Sequence, residues 1–258
     1  MTRLFLTVLA FCMACSQAKG DTVGSRQSKP ERATRLQSDV GIFSEFDGLI
    51  ALRKPSWLPD GIDGGGGDAD GDEIPDQLDI LRGAKKADLN NAAYGSPYRK
   101  LRYPNGDVPR DEGVCTDVVA RALRNAGIDL QRLVHEDIKH RPRSFPMVKQ
   151  PNANIDHRRV KTLLPYFKGR WKSLPTSFPG NEETWLPGDV VLMQLFGDAR
   201  PDHVGIVSDE LGRSKTPLII NNWAPGFHTD AQDLLQWVPV THRFRWAHSA
   251  PELRSLSS

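Results

Sequence analysis

One cysteine, Cys115, lies outside residues 1–20 of this 258-residue chain, which contains three cysteines in all. The other two, Cys12 and Cys15, fall in an N-terminal stretch with the features of an export signal. An exported chain that keeps at most one free thiol has no internal disulfide framework, so a hydrophobic core has to hold its fold. At this length we expect one ordinary domain with extensions.

Residues 1–20 are expected to direct export. Arg3 precedes an apolar stretch over residues 4–11, and small residues follow. The sequence around Cys15 resembles a bacterial lipoprotein box with that cysteine as the lipidated residue; cleavage without lipidation is the alternative. Both outcomes predict a protein of the bacterial cell envelope, in the periplasm or on a membrane, or a secreted one. Membrane contact is then expected only through a lipid anchor.

The balance of charged and apolar residues indicates which kinds of partner to expect. The 34 basic and 32 acidic residues nearly balance, so the sequence does not predict binding of nucleic acid. No run of about 18 apolar residues follows the N-terminus, so no internal membrane span is expected. We expect a monomer.

The chain divides into segments of different character. Residues 21–67 are polar and predict a flexible spacer, within which residues 42–50 are expected to add a strand or dock locally. An acidic loop follows at 68–79, then a folded domain at 80–250 and a tail at 251–258.

Within the folded domain, helices come first and strands later. Apolar residues recur at helical spacing from Val118 to Ala126, and Gly127 suits the left-handed position that ends a helix. Further helices are predicted at about 75–93 and 160–167. Short apolar runs bounded by turn formers predict strands at 189–195, 204–208, 217–221 and 238–246. This order predicts an α+β domain with N-terminal helices packed on an antiparallel sheet.

Cys115 begins the central helical pattern, and His203 begins an apolar strand. A thiol at a helix N-terminus is expected to have a lowered pKa, and a nearby histidine can act as its base. Asn221 or Asn222, on the next strand, could orient the imidazole. The alternatives are a buried structural cysteine and two asparagines that form a turn.

These residues lie in motifs that resemble a known enzyme superfamily. The sequence Pro187-Gly188-Asp189-Val190-Val191 followed by His203-Val204-Gly205-Ile206-Val207 is similar to the NlpC-type cell-wall cysteine peptidases of the papain-like superfamily. Segments 103–109, 113–117, 121–124, 155–160 and 221–223 together resemble an uncharacterised exported bacterial family assigned to that superfamily. The likeness covers residues 75–247 and implies a papain-like α+β half-barrel.

The resemblance also implies residue roles. Cys115 matches the nucleophile, His203 the base and Asn221 the third polar residue, with Asn222 as an alternative. Tyr103 matches a tyrosine near the oxyanion. The chemistry implied is amide hydrolysis without a cofactor, and the expected partner is a cell-wall peptide or a similar amide.

Two further side-chain groups are candidates for binding substrate. His157, Arg158 and Arg159 form a basic cluster that could bind a carboxylate, or could pair with Asp156 as a structural salt bridge. Trp223 follows the asparagines and could line a cleft.

The acidic loop has the spacing of a calcium site. Oxygen ligands are expected at positions 1, 3, 5, 7, 9 and 12 of such a loop, which here are Asp68, Asp70, Asp72, the Ile74 carbonyl, Asp76 and Asp79. The pattern resembles thrombospondin type 3 and dockerin-like repeats, although Glu73 stands where glycine is usual. A bound Ca²⁺ would be structural; a solvated acidic linker that caps the following helix is the alternative.

The sequence thus supports three functions. The first is an exported cysteine amidase or peptidase acting through Cys115 and His203. The second is a non-catalytic, calcium-braced module that binds peptide or glycan in the same cleft. The third is a thiol acyltransferase, because one thioester intermediate can react with water or with an amine.

Overall fold

The computed structural model describes residues 43–58, 67–197 and 200–247, which belong to one compact unit. Its α-helices are α1 (Asp76–Asn90), α2 (Cys115–Asn125), α3 (Leu130–His140) and α4 (Val160–Arg170). Its strands are β1 (Ala93–Tyr94), β2 (Glu112–Gly113), β3 (Lys172–Leu174), β4 (Val190–Met193), β5 (His203–Leu211), β6 (Pro217–Asn222), β7 (Thr229–Gln232) and β8 (Val240–Arg245). A 3₁₀ helix, Ser44–Leu49, precedes α1, and others include Asp156–Arg158 before α4.

Six of these strands form one antiparallel sheet in the order β3-β8-β4-β5-β6-β7. The short strands β1 and β2 pair in parallel outside it. The predicted α+β class, with helices first and an antiparallel sheet after them, is confirmed at this level. None of the helices in the described ranges is long and apolar enough to cross a membrane.

The two faces of the sheet bury different side chains because residues alternate along a strand. Val204 and Ile206 of β5 belong to the larger cluster, together with Val118 and Leu123 of α2. Val207 belongs to a second cluster, which includes Trp185, Val191, Met193 and Ile219. The helices therefore cover the first face, and α2 lies directly against β5.

Helix α2 begins at the candidate nucleophile and has a well-defined start and end. The carboxylate of Asp117, in its first turn, accepts the Val114 N–H at 2.8 Å and so satisfies a backbone donor at the helix start. The helix ends before Gly127, whose φ of +69° is the left-handed conformation predicted for it.

Within the predicted spacer, the described residues 43–58 pack on the domain; residues 44–49 dock locally, as expected, and form a 3₁₀ helix instead of a strand. Phe43 is buried in the larger cluster. The backbone N–H of Arg53 donates to the Asp209 carboxylate at 2.6 Å, and the Trp57 indole donates to the Trp185 carbonyl at 3.0 Å. A buried aromatic residue and long-range hydrogen bonds thus fix this segment to the rest of the domain. The predicted export signal, the lipidation of Cys15 and the 251–258 tail lie outside the described residues.

Candidate active site

Cys115 is the first residue of α2 and is half-buried against the larger cluster. Burial raises the pKa of its thiol to about 12, although the backbone N–H groups of Val204 and Thr116 oppose this. The expected lowering of the thiol pKa is therefore reversed, because desolvation outweighs the helix N-terminus. The Val204 N–H is close enough to the sulfur to lower its pKa, so the thiol lies near the start of β5.

His203, the first residue of β5, is buried and bonded to Asn221 on the neighbouring strand. Its Nε2 lies 2.9 Å from Asn221 Oδ1. The Asn221 amide nitrogen donates to the Ile219 carbonyl at 3.0 Å, so the oxygen of that amide faces the ring. Nε2 must therefore carry the proton of the neutral imidazole, and Nδ1 is the nitrogen with a free lone pair. Burial lowers the pKa of His203, and the hydrogen bond to Asn221 opposes that shift.

The two asparagines have different roles. The Asn222 amide donates to the Ala92 carbonyl at 3.0 Å and to Thr229 Oγ1 at 3.2 Å. Asn222 thus anchors the chain just before β1, and Asn221 is the residue that contacts His203.

Cys115 and His203 both lie near the start of β5, and no hydrogen bond joins the thiol to the imidazole among the described contacts. His203 pairs with Met193 and Val204 with Leu192, and these two partners belong to the clusters on opposite faces. Cross-strand partners share a face of the sheet, so His203 lies on the side of the second cluster, whereas Cys115 packs against the larger cluster on the other side. The Trp223 ring lies 5.2 Å from the His203 ring in an edge-on arrangement.

Tyr94, which the sequence did not single out, lies near Cys115. It lies in β1 and pairs with Gly113 of β2. Gly113 is two residues before Cys115. Burial and the nearby Cys115 raise the pKa of its hydroxyl. The Tyr103 hydroxyl instead donates to Glu136 on α3 at 2.7 Å, so its expected place beside the oxyanion is corrected. The sequence gives little indication that Tyr94 lies near Cys115, because a two-residue strand has no periodicity of apolar residues.

Similarity to known proteins identifies the family of this chain. The family described as Domain of unknown function (DUF1287) matches residues 81–246. The chain belongs to the DUF1287 family. Uncharacterized protein YijF of Escherichia coli (strain K12) is 41% identical over 168 residues, which are 64% of this chain and 80% of that protein. No solved structure matches the chain.

The part of the chain that matches DUF1287 contains the whole candidate site. It holds Cys115, His203 and Asn221 on α2, β5 and β6, with Tyr94 and Trp223 beside them. The acidic loop at 68–79 precedes the matched range.

The three residues of the basic cluster lie in different environments in this DUF1287 domain. Arg158 is buried and makes two hydrogen bonds to Asp117, from Nε to Oδ1 at 2.7 Å and from Nη2 to Oδ2 at 2.9 Å. His157 is buried, and burial lowers its pKa to about 4. Arg159 is exposed, with its guanidinium 3.9 Å from Asp156. Arg158 thus forms a buried salt bridge, but with Asp117 and not with Asp156 as the alternative predicted; Arg159 is the arginine near Asp156.

The acidic loop brings three of its predicted ligands together. The carboxylates of Asp68, Asp70 and Asp72 offer oxygens within 4.8 Å of one another. Asp76 and Asp79 are buried at the start of α1. Burial, followed by the charges of Asp72 and Asp70, raises the pKa of Asp79 to about 7.

Proposed function

We propose that this chain is an exported cysteine hydrolase of the papain-like, NlpC type that cleaves an amide bond in cell-wall peptide. Cys115 is the nucleophile, His203 the base and Asn221 the residue that orients the base. One observation carries the proposal: the Asn221 amide holds the His203 Nε2 at 2.9 Å, at the strand end where the thiol of a helix-initial cysteine meets the Val204 N–H.

The tautomer of His203 supports its role as a base. With Nε2 donating to Asn221, the lone pair on Nδ1 can accept the thiol proton. The sulfur then bonds to the substrate carbonyl carbon, and the imidazolium returns the proton to the leaving amine as the C–N bond breaks. Water then attacks the thioester carbonyl and gives a proton to His203; the C–S bond breaks, the carboxylic acid product leaves, and the imidazolium returns the proton to the sulfur.

Two donors near the sulfur suit the oxyanion of this reaction. The backbone N–H of Cys115 belongs to the first turn of α2, where it has no intrahelical acceptor. The Tyr94 hydroxyl is close enough to Cys115 for the two groups to influence each other electrostatically. An oxyanion donor of this kind contributes ~3 kcal/mol to transition-state stabilisation.

The proposed cell-envelope location rests on the N-terminal sequence. The charged start, the apolar stretch and the small residues of 1–20 support export, with Cys15 as the proposed lipid anchor. Cell-wall peptide is the substrate that this location and the cysteine chemistry favour together.

A binding module is the second candidate, and one observation favours it. Burial raises the thiol pKa to about 12, so the resting Cys115 is a neutral thiol rather than a thiolate. Catalysis then requires His203 Nδ1 to come within hydrogen-bond reach of the sulfur when substrate binds, as catalytic contacts often tighten in the complex.

The deciding experiment incubates the full chain with muropeptides released from peptidoglycan and follows new amine termini by mass spectrometry. Cys115→Ser and His203→Ala are the test variants, and Tyr103→Phe is the matched control. Loss of cleavage in both test variants, with cleavage retained in the control, supports a hydrolase. Retained cleavage in Cys115→Ser would reject it.

Binding of muropeptides without cleavage by the unmodified chain would favour the binding module. A glycine ethyl ester acceptor added to the same assay separates hydrolysis from acyl transfer. Products extended by the glycine ester would identify the acyltransferase, because the amine then competes with water for the thioester.

A further inference from the structure

The loop before α1 gathers negative charge on the surface. The exposed carboxylates of Asp68, Asp70 and Asp72 approach within 4.8 Å of one another. Like charges at this distance repel, so such a cluster persists only where something offsets the repulsion. Backbone N–H groups offset part of it, because those of Gly71 and Glu73 donate to Asp68 at 2.7 and 3.1 Å. These local bonds alone do not identify a ligand.

Asp79 supplies the second, independent observation. Its side chain is buried, with 2% of the residue exposed, and its Oδ2 has no hydrogen-bond partner. Oδ1 accepts from the Asn125 amide at 2.7 Å, so only one of the two carboxylate oxygens is satisfied. Asp72 and Asp70 are the acidic residues whose charges act on it. A buried carboxylate oxygen without a partner is costly, and this carboxylate lies within electrostatic reach of the acidic cluster.

The neighbouring cations do not satisfy that oxygen. Arg82 and Lys86 are the basic residues that act electrostatically on Asp79. Both are directed to Asp47, at 3.4 and 2.5 Å respectively. Lys86 also donates to the Asn125 side-chain oxygen at 2.7 Å. The unpaired oxygen of Asp79 therefore lacks a cation in the part of the chain that the structure describes.

We propose that Asp68, Asp70, Asp72 and Asp79 bind one calcium ion, with the Ile74 carbonyl as a fifth ligand. Carboxylate and carbonyl oxygens are hard ligands, and a set of five or more on a flexible loop suits Ca²⁺ better than the compact octahedron of Mg²⁺. The ion would give the unpaired oxygen of Asp79 a partner and would offset the repulsion in the cluster.

Asp76 is removed from the ligand set expected from the sequence. Its Oδ1 accepts the Ala69 N–H at 2.8 Å, and its Oδ2 accepts the Trp246 indole N–H at 2.9 Å. Asp76 is buried, unlike the exposed Asp68, and its two oxygens hold the loop and the Trp246 indole, so it braces the loop against the end of the sheet. Glu73, at the sharp turn where glycine is usual, has a φ of +72° and completes the turn without being a ligand.

The site is attached to the far end of the helix that carries Cys115. Asn125, which holds Asp79, is the last residue of α2. A Cβ on Gly127 would lie 2.7 Å from Asp70 Cβ, so the loop packs tightly on the end of α2. An 11-residue helix is ~16 Å long, which places the ion at the opposite end from the thiol. Calcium would therefore stabilise the domain without taking part in the chemistry.

The test is calorimetric titration of the chelator-treated full chain with CaCl₂, repeated with MgCl₂. We expect one Ca²⁺ per chain, with a Kd of ~10⁻⁴ M and at least 10-fold weaker binding of Mg²⁺. Saturating Ca²⁺ should raise the melting temperature by about 5 °C, and EGTA should reverse this. Absence of saturable binding, or equal affinity for the two ions, would overturn the proposal.

Two variants, each of which removes one negative charge, distinguish a specific calcium site from non-specific attraction of the ion to an acidic surface. Asp72→Asn removes a proposed ligand and should weaken Ca²⁺ binding at least 10-fold. Glu73→Gln, one residue away, should change the affinity less than 3-fold. Similar losses in both variants would mean that only general electrostatics attract the ion. A melting curve of each variant in EGTA checks that it is folded. Muropeptide cleavage is a separate readout, so failure here leaves the proposed hydrolase unaffected.

Discussion

Asn221 fixes both the position and the protonation of His203, because its side-chain oxygen lies 2.9 Å from His203 Nε2. The Asn221 amide nitrogen is held by the Ile219 carbonyl, so the amide cannot turn round without losing that bond. The imidazole is therefore kept with its lone pair on Nδ1, as a base needs it.

Replacing Asn221 should impair catalysis through His203 rather than substrate binding. Asn221→Ala frees the imidazole to rotate and to change tautomer, and we expect kcat to fall ~10- to 100-fold with little change in KM. Asn221→Asp keeps the acceptor oxygen and should restore most of kcat. Steady-state kinetics on muropeptides measures both. An unchanged kcat in Asn221→Ala would show that this hydrogen bond is only structural.

Two tyrosines provide a paired test of the oxyanion donor. Tyr94→Phe removes the hydroxyl near Cys115, and we expect a loss of ~10²-fold in kcat. Tyr103→Phe removes only the hydrogen bond to Glu136 and should change kcat less than 2-fold. The same cleavage assay compares them. A larger loss of kcat in Tyr103→Phe than in Tyr94→Phe would instead support Tyr103 as the oxyanion donor.

Much of the fold could be predicted because its elements bury apolar side chains at a regular spacing. Helix α2 follows the recurrence from Val118 to Leu123, and β4, β5, β6 and β8 follow short apolar runs. Strand β7 was missed because its sequence, Thr229–Gln232, has no apolar alternation. Its place comes from hydrogen bonds to β6 at the sheet edge, which the local sequence does not reveal.

The candidate site was predictable only in part, for a similar reason. His203 and Asn221 stand in strand motifs and could be found from the sequence, although the choice between Asn221 and Asn222 required the side-chain contacts. Tyr94 reaches the site through the pairing of two-residue strands. The partnership of Arg158 with Asp117 joins residues far apart in the chain, and no local spacing predicts it.

The pH dependence of cleavage should report the buried imidazole. Burial lowers the pKa of His203 below its ordinary value of 6.5. Only neutral His203 can accept the thiol proton, so activity should fall as the pH drops through this lowered pKa. We therefore expect the acidic limb of kcat/KM to have its midpoint below pH 6.5. A midpoint above pH 7 would contradict this. Asn221→Asp should move the midpoint upward, since a carboxylate stabilises the imidazolium.

Alkylation by iodoacetamide tests the resting state of the thiol. Because burial raises the pKa of Cys115 to about 12, its reaction in the absence of substrate should be slow at pH 7. The rate should rise about tenfold per pH unit up to pH 9, without a plateau. Mass spectrometry of the Cys115 peptide separates it from Cys12 and Cys15. A plateau below pH 8 would instead reveal a preformed thiolate–imidazolium pair.

The buried ion pair between Arg158 and Asp117 makes a prediction about stability. Arg158→Ala leaves the Asp117 carboxylate buried without its cation, and we expect the free energy of unfolding to fall by about 3–5 kcal/mol. Asp117 also accepts the Val114 N–H at the start of α2, so loosening it weakens the helix that presents Cys115. Urea denaturation measures the change.

Arg159→Ala is the matched control for that prediction, because it removes the same charge from the next residue. Arg159 is exposed and lies 3.9 Å from Asp156, so its loss should cost less than about 1 kcal/mol. If Arg158 instead bound a substrate carboxylate, Arg158→Ala would raise KM while leaving the urea midpoint in place. Measuring KM and the midpoint on the same two variants therefore separates a structural arginine from a substrate-binding one.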